Sequence, residues 1–232
     1  MKKHIVSLGG GGFQNERAPA LDKYMLGLCS RQKPRVCCIP TASGELPDFL
    51  VRFYNTFTQY ECTPFHLSFF RSPISDYRAL LADCDLAYVM GGNTRAMLAI
   101  WREWGLDQIL RERYEQGMVL AGNSAGAICW FAQGHTDSNG PVLSPLDCLG
   151  FLPGSCSPHY NGEPQRRPSF LKFISDGILT EGYGIEDGAA LHFVDDKLHQ
   201  VIAWRDGKKA YRVTRTGNQA VEEELPALKI RE

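Results

Sequence analysis

Residues 118–130 read MVLAGNSAGAICW. Four apolar residues lead into a small polar knot, Gly122-Asn123-Ser124-Ala125-Gly126, and helix-forming residues follow at once. One reading is a plain tight turn between a buried strand and a helix. The other is a nucleophile elbow, since G-x-S-x-G at a strand-to-helix corner holds a serine on a sharp, strained turn. Glycines two residues to either side leave room for neighbouring strands and for a substrate. The helix opening after Ser124, expected over the AICWFA run, points its first N–H groups at the same spot, where they stabilise an oxyanion. The elbow reading makes Ser124 the nucleophile and the Ala125 N–H one oxyanion donor.

Upstream of the elbow, short aliphatic or aromatic runs alternate with amphipathic ones. His4–Leu8, Arg35–Ile39, Pro64–Phe69, Leu86–Met90 and Met118–Ala121 have the pattern of strands buried on both faces. Helices are expected over Ala18–Ser30, Pro47–Gln59, Ser75–Ala82 and Thr94–Gln116, the last broken near Gly105, with Ser75 and Asn93 as N-caps. This alternation predicts an α/β fold with a parallel sheet and helices on both of its faces. Downstream, residues 141–168 are rich in Pro, Gly and Ser and read as a long ordered loop with one or two strands, followed by a helix over Ser169–Asp176. From Ala189 the pattern turns hairpin-like: ALHFV, turn DDK, LHQVIAW, turn RDGK, AYRVT, with Asp206-Gly207 as a hairpin turn signal. No repeat or linker divides the chain, so residues 1–232 read as a single domain.

The glycine run Gly9-Gly10-Gly11-Gly12 invites a dinucleotide-binding reading that its spacing does not support. Gln14 or Asn15 stands where the last glycine of G-x-G-x-x-G belongs, and no phosphate-loop pattern is present. What remains is a flexible loop at the carboxyl end of a central strand, the edge where ligands settle in open α/β sheets.

A serine hydroxyl needs a base within hydrogen-bond reach. Of the six histidines, His4 and His66 lie within strand-like runs, His192 and His199 sit on hairpin positions, and His135 follows the elbow too closely. His159, in a loop after the irregular segment, is favoured by spacing. The acid that orients its imidazole is sought in Gly184-Ile185-Glu186-Asp187-Gly188, where Asp187 and Glu186 are both open. The order Ser, His, acid differs from that of the α/β-hydrolases and argues against a lipase or esterase of that fold. A second oxyanion donor is expected from the N–H of Gly91 or Gly92, where Val89-Met90-Gly91-Gly92-Asn93-Thr94 ends a strand and opens a helix.

The chain of 232 residues is 44% hydrophobic and 22% charged with net charge −1, an ordinary globular balance. Basic residues gather only in pairs, so no nucleic-acid or membrane partner is expected. No signal-like segment or bilayer-length apolar run is present, and the eight cysteines form no CxxC pair. A cytoplasmic location, buried thiols, no metal and no organic cofactor are the expectations, with a monomer or homodimer acting on a small peptide.

Taken together, GGNT after a strand, GNSAGA at the elbow, PHY, and GIEDG before a hairpin resemble the peptidase E (aspartyl dipeptidase) and cyanophycinase family of serine peptidases. The resemblance runs over nearly the whole chain. It implies a flavodoxin-like sheet, related to class I glutamine amidotransferases but with serine in place of cysteine. It also implies a Ser-His-acid triad on Ser124, His159 and either Asp187, favoured by its place before Gly188, or Glu186. Aspartyl dipeptidases of this family hold the substrate's aspartate with an arginine after the catalytic histidine. Gln165 stands at that position in a gap-free alignment, leaving Arg166 or Arg167 to grip a carboxylate. Asn93 and Asp137, the acid after the elbow helix, complete the expected substrate-binding set. The implied activity is a serine exopeptidase for dipeptides or short peptides, with N-terminal Asp as one substrate class. A cyanophycinase-like β-linked peptide hydrolase, an esterase and a non-catalytic small-molecule-binding protein of the same fold are the alternatives. A glutamine amidotransferase is disfavoured because Cys129 lies a full turn beyond the elbow.

Overall fold

Five short apolar segments form the parallel centre of the molecule: β1 (His4–Leu8), β2 (Arg35–Ile39), β3 (Thr63–His66), β4 (Leu86–Val89) and β5 (Val119–Asn123). The computed structural model describes residues 1–71 and 76–231. The parallel strands lie in the order β3-β2-β4-β5-β1. Counted from β2, this is the 2-1-3-4-5 order of a flavodoxin-like sheet, with β1 in the fifth place.

Successive side chains leave each strand on opposite faces, and both faces are buried. Ile5, Cys37, Ile39, Val89 and Leu120 enter one core cluster, while Val6, Leu8, Val36, Tyr88 and Ala121 enter another. Helices α1 (Pro19–Leu26) and α2 (Pro47–Phe57) close the second of these faces with Leu21, Met25, Phe53 and Phe57. Helices α3 (Tyr77–Leu81), α4 (Thr94–Trp104), α5 (Leu106–Glu115) and α6 (Ala125–Ile128) close the other with Leu81, Met97, Trp101, Leu110 and Ile128. Each such side chain stabilises the fold by about 1.5–3 kcal/mol relative to exposure.

Local signals explain the helix ends. Pro47 opens α2 at a position whose N–H has no intrahelical partner. The Asn93 side chain accepts from the Ala96 N–H at 2.8 Å and caps α4, as expected. Gly105, at φ 67°, ends α4 and starts α5. Helix α3 is capped by Asp76, which accepts from the Ala79 N–H at 2.9 Å; Ser75 lies outside the described residues.

The second half builds more sheet than its sequence announces. Strands β6 (Phe131–Thr136), β7 (Ser144–Asp147), β8 (Leu152–Ser157), β9 (Gly182–Ile185), β12 (Ala210–Thr216) and β13 (Gln219–Leu225) form a second sheet in the order β13-β12-β9-β8-β6-β7. Strands β10 (Ala189–Val194) and β11 (Lys197–Ala203) instead extend the first sheet as the expected antiparallel hairpin, and β14 (Ala227–Lys229) closes its edge.

Three expectations are corrected. The helix after the elbow stops after one turn at Ile128, because Phe131 and its successors pair with β8 as strand β6. Asp206-Gly207 is not a hairpin turn. The free edge of β11 is taken by β14, so the chain crosses at this point to the second sheet, where β12 pairs with β9 and β13. Helix α7 (Arg166–Ser175) starts three residues earlier than expected, and Pro168 is tolerated there because first-turn N–H groups lack intrahelical partners.

The topology places a site. Strand β1 sends its helix to one face of the sheet, and its parallel neighbour β5 sends α6 to the other. Adjacent strands whose connections part in this way open a crevice at their carboxyl ends. Ser124 stands at that crevice. Among the described residues no helix is long and apolar enough to cross a membrane.

Candidate active site

Ser124 occupies the corner between β5 and α6 with φ 56° and ψ −107°. A non-glycine residue in such a conformation costs on the order of 1–3 kcal/mol and persists only where its surroundings enforce it. Here the enforcement is backbone packing. A β-carbon on Gly122 would overlap the Gly126 carbonyl, and one on Gly126 would overlap the Val89 carbonyl. The two glycines of the G-x-S-x-G pattern thus let α6 lie directly on β4 and β5.

The glycine run after β1 gathers the rest. Three consecutive carbonyls at the end of that strand accept from three distant segments. Leu8 O takes the Ser124 N–H at 3.2 Å, Gly9 O takes the His159 N–H at 3.0 Å, and Gly10 O takes the Gly188 N–H at 2.9 Å. A side chain on Gly10 would overlap Asp187 Oδ1 and come within 2.7 Å of His159 Nδ1. Gly10 is glycine because the His159–Asp187 pair lies against it. His159 is itself held at φ 52°, with the following Tyr160 N–H bonded to Ile185 O at 3.0 Å.

The side chains form a continuous relay. His159 Nε2 lies 2.9 Å from Ser124 Oγ, and His159 Nδ1 lies 2.7 Å from Asp187 Oδ1. Burial pushes the Asp187 carboxyl up, but the hydrogen bond and electrostatic attraction of His159, helped by the positive charges of Arg205 and Lys208, outweigh it, leaving the group below its ordinary value. An ionised carboxylate only accepts, so Nδ1 carries the imidazole proton and Nε2 is free to accept from the serine hydroxyl. The Asp187 N–H donates to Asn161 Oδ1 at 3.2 Å, which fixes the acid's own backbone. Glu186 faces the other way. It is buried, accepting from the Lys209 N–H at 3.2 Å and the Tyr211 hydroxyl at 3.3 Å.

The two glycines considered as oxyanion donors differ. The Gly91 N–H is already engaged, donating to Gln14 Oε1 at 2.9 Å. The N–H groups of Gly92 and Ala125 have no partner among the described residues. Gln14 is a residue that sequence reading missed. Its one signal was that it interrupts the glycine fingerprint.

Ser124 and His159 open onto a cleft of about 380 Å³ whose other walls are Gly92, Asn93, Asp137, Ser138, Glu163 and Arg166. Arg166 is only 3% exposed. Its Nε donates to Glu163 Oε2 at 2.8 Å, its Nη1 to the His135 carbonyl at 2.8 Å, and its Nη2 stands 3.9 Å from Asp137 Oδ1. Glu163, which the sequence reading did not single out, thus partners the cleft's arginine from three positions earlier. Arg167 is not brought into the cleft. It lies over the rings of Tyr160 and Tyr211 and pairs with Glu222. Asn93 lines the cleft but spends its side chain on capping α4 and on the Ser138 carbonyl.

Four of the other histidines have hydrogen-bond partners, and His199 only packs its ring against His192. His135 is bonded to Ser157 and Ser169 hydroxyls, and burial together with Arg166 pushes it down to about 3. His192 bonds His4 and Tyr24, and His66 bonds Tyr54. Cys129 is fully buried, which drives its thiol well up and away from thiolate chemistry.

Comparison with known proteins agrees with this fold. The family model described as Peptidase family S51 matches residues 5–201. The chain is 50% identical, over 97% of both sequences, to the Bacillus subtilis (strain 168) protein described as uncharacterized peptidase YgaJ. It is 34% identical to peptidase E of Shewanella amazonensis, a match spanning 53% of this chain and 57% of that relative. Among solved structures, a peptidase from an acI-B1 actinobacterium superposes with a TM-score of 0.72, covering 98% of this chain and 95% of that one at 18% identity. A putative peptidase E protein from Listeria monocytogenes EGD-e gives 0.62 over 97% and 100%, also at 18% identity. These two likenesses concern the fold. The chain belongs to peptidase family S51 and is a serine-type peptidase.

Proposed function

We propose that this chain is a serine exopeptidase for dipeptides or short peptides, with Ser124 as nucleophile, His159 as general base and Asp187 as the acid that orients it. The observation that carries the reading is the unbroken relay, 2.9 Å from Ser124 Oγ to His159 Nε2 and 2.7 Å from His159 Nδ1 to Asp187 Oδ1, set on a serine at φ 56°. Both distances lie within the reach required of a nucleophile–base pair and its orienting group.

In this mechanism the Ser124 proton passes to His159 Nε2 as Oγ bonds to the scissile carbonyl carbon. The carbonyl electron pair moves onto oxygen, where the Ala125 and Gly92 N–H groups receive the charge. Collapse expels the amine, which takes the proton from His159 and leaves an acyl-enzyme. His159 then deprotonates a water that attacks the ester, and Oγ departs reprotonated. Asp187 stabilises the imidazolium in both halves without accepting its proton.

A cleft of about 380 Å³ suits a ligand of dipeptide to short-peptide size. Arg166 is the cation among its described lining residues, so a substrate with N-terminal Asp is the first class to examine. Glu163 already holds the guanidinium Nε, so that preference rests on the Nη2 edge facing Asp137. Purified wild type and Ser124→Ala should be assayed on Asp-X dipeptides, other α-dipeptides, β-Asp-Arg and short-chain esters. Hydrolysis of α-dipeptides by wild type, reduced at least about 10⁴-fold in Ser124→Ala, is expected. Exclusive turnover of β-Asp-Arg would instead indicate a β-linked peptide hydrolase. Absence of all turnover would point to a binding protein.

A further inference from the structure

Gln14 sits on the loop that follows β1, where it is 7% exposed. Its Oε1 accepts from the Gly91 N–H at 2.9 Å. That bond fixes the orientation of the side-chain amide, because the atom facing an N–H must be the oxygen. The NH2 end therefore points elsewhere, and among the described residues it donates to nothing. Unpartnered, this nitrogen is not fully enclosed by protein and reaches open space. Where it points is given by Gly91. A β-carbon built there would stand 3.4 Å from Gln14 Nε2 and 3.3 Å from the Ser124 Cβ. Gln14 Nε2 and the nucleophile thus border the same small space at the mouth of the β1–β5 crevice.

The loop is held for this purpose at several points. Arg52, on α2, donates from Nη1 to the Gln14 carbonyl at 2.8 Å, and the Glu16 N–H closes back on Gly12 O at 2.8 Å. A pre-fixed amide donor beside a nucleophile, with its own oxygen occupied, has the form of an oxyanion donor that needs no rearrangement when charge develops.

Accepting Ser124 as the nucleophile, on which this rests, we infer that Gln14 donates from Nε2 to the oxyanion formed at the scissile carbonyl, in place of the Gly91 N–H that its own oxygen occupies. The hole then consists of Gln14 Nε2–H, the Ala125 N–H and the Gly92 N–H. Gly10 and Gln14 become one device: the glycine admits the His159–Asp187 pair, and four residues later the same loop delivers the donor.

The test is the rate of Ser124 phosphonylation by a fluorophosphonate probe, resolved into probe affinity and the chemical step, in wild type, Gln14→Glu and Gln14→Met. Gln14→Glu keeps the acceptor for Gly91 and removes the donor. Gln14→Met removes both and frees the Gly91 N–H. Both should slow the chemical step by about 10²-fold, with probe affinity within about threefold and unchanged far-ultraviolet circular dichroism. A chemical step within threefold of wild type in either folded variant would overturn the assignment. If wild type itself is not phosphonylated at Ser124, the nucleophile reading fails, and this inference with it.

Discussion

Ser124 and His159 carry almost the same unusual φ, 56° and 52°, yet they reach it by different routes. The serine is placed by its own neighbourhood. Strand β5, the flanking Gly122 and Gly126 and the single turn of α6 are contiguous in sequence and pack against β4. The histidine and its acid come from the ends of β8 and β9 in the second sheet, and the His159 and Gly188 N–H groups tie them to the end of β1, 150 and 178 residues away. Half of the relay is a local motif, and the other half is a meeting of two sheets.

That contrast can be strained most severely at the acid. Asp187→Asn keeps shape but presents an amide to His159 Nδ1, which favours the wrong tautomer. A loss of about 10⁴-fold in kcat is expected, measured on whichever dipeptide the panel identifies. Glu186→Gln, one residue away, should leave kcat within about threefold. It should lower stability by about 1–3 kcal/mol, read by urea unfolding, because a buried carboxylate accepting from Lys209 and Tyr211 is replaced. Reversal of these two outcomes would transfer the role to Glu186.

The degree to which each half could be read in the sequence follows the same division. The five parallel strands, the break at Gly105 and the Asn93 cap are legible because hydrophobic period and capping chemistry are local. The elbow is legible for the same reason. The second sheet is not. Phe131–Thr136 continues an apparent helical run, and only pairing with β8 makes it a strand. The crossing at Asp206-Gly207 looks like a hairpin because the sequence does not reveal that β14 covers the edge of β11. Spacing favours His159, and of the two adjacent acids the structure turns Asp187 toward it because Glu186 faces into the β9–β12 side. Gln14 and Glu163 escaped notice because their roles depend on partners, Gly91 and Arg166, whose own bonding appears only in three dimensions.

A smaller effect, shared by both sheets, depends on pH. His135 in the second sheet is pushed down to about 3 and His192 in the first to about 4, each chiefly by burial. Their unfolded forms titrate near 6.5. Below that pH the unfolded chain binds protons that the folded chain refuses, so stability present at neutral pH is lost as pH falls through the window between 6.5 and these lower values. Urea unfolding of wild type at pH 7 and pH 4 should show this loss. His135→Asn should reduce it by on the order of 3 kcal/mol, the His192 share remaining. An identical pH slope in the variant would remove His135 from the account.

Ser124 as a nucleophile activated by His159 has its most direct test in the mass of the intact protein after brief exposure to a fluorophosphonate at pH 7.5. One adduct per chain is expected, mapping by peptide sequencing to Ser124 and absent from both Ser124→Ala and His159→Ala. An unmodified wild type, or an adduct that persists at the same rate in His159→Ala, would contradict it.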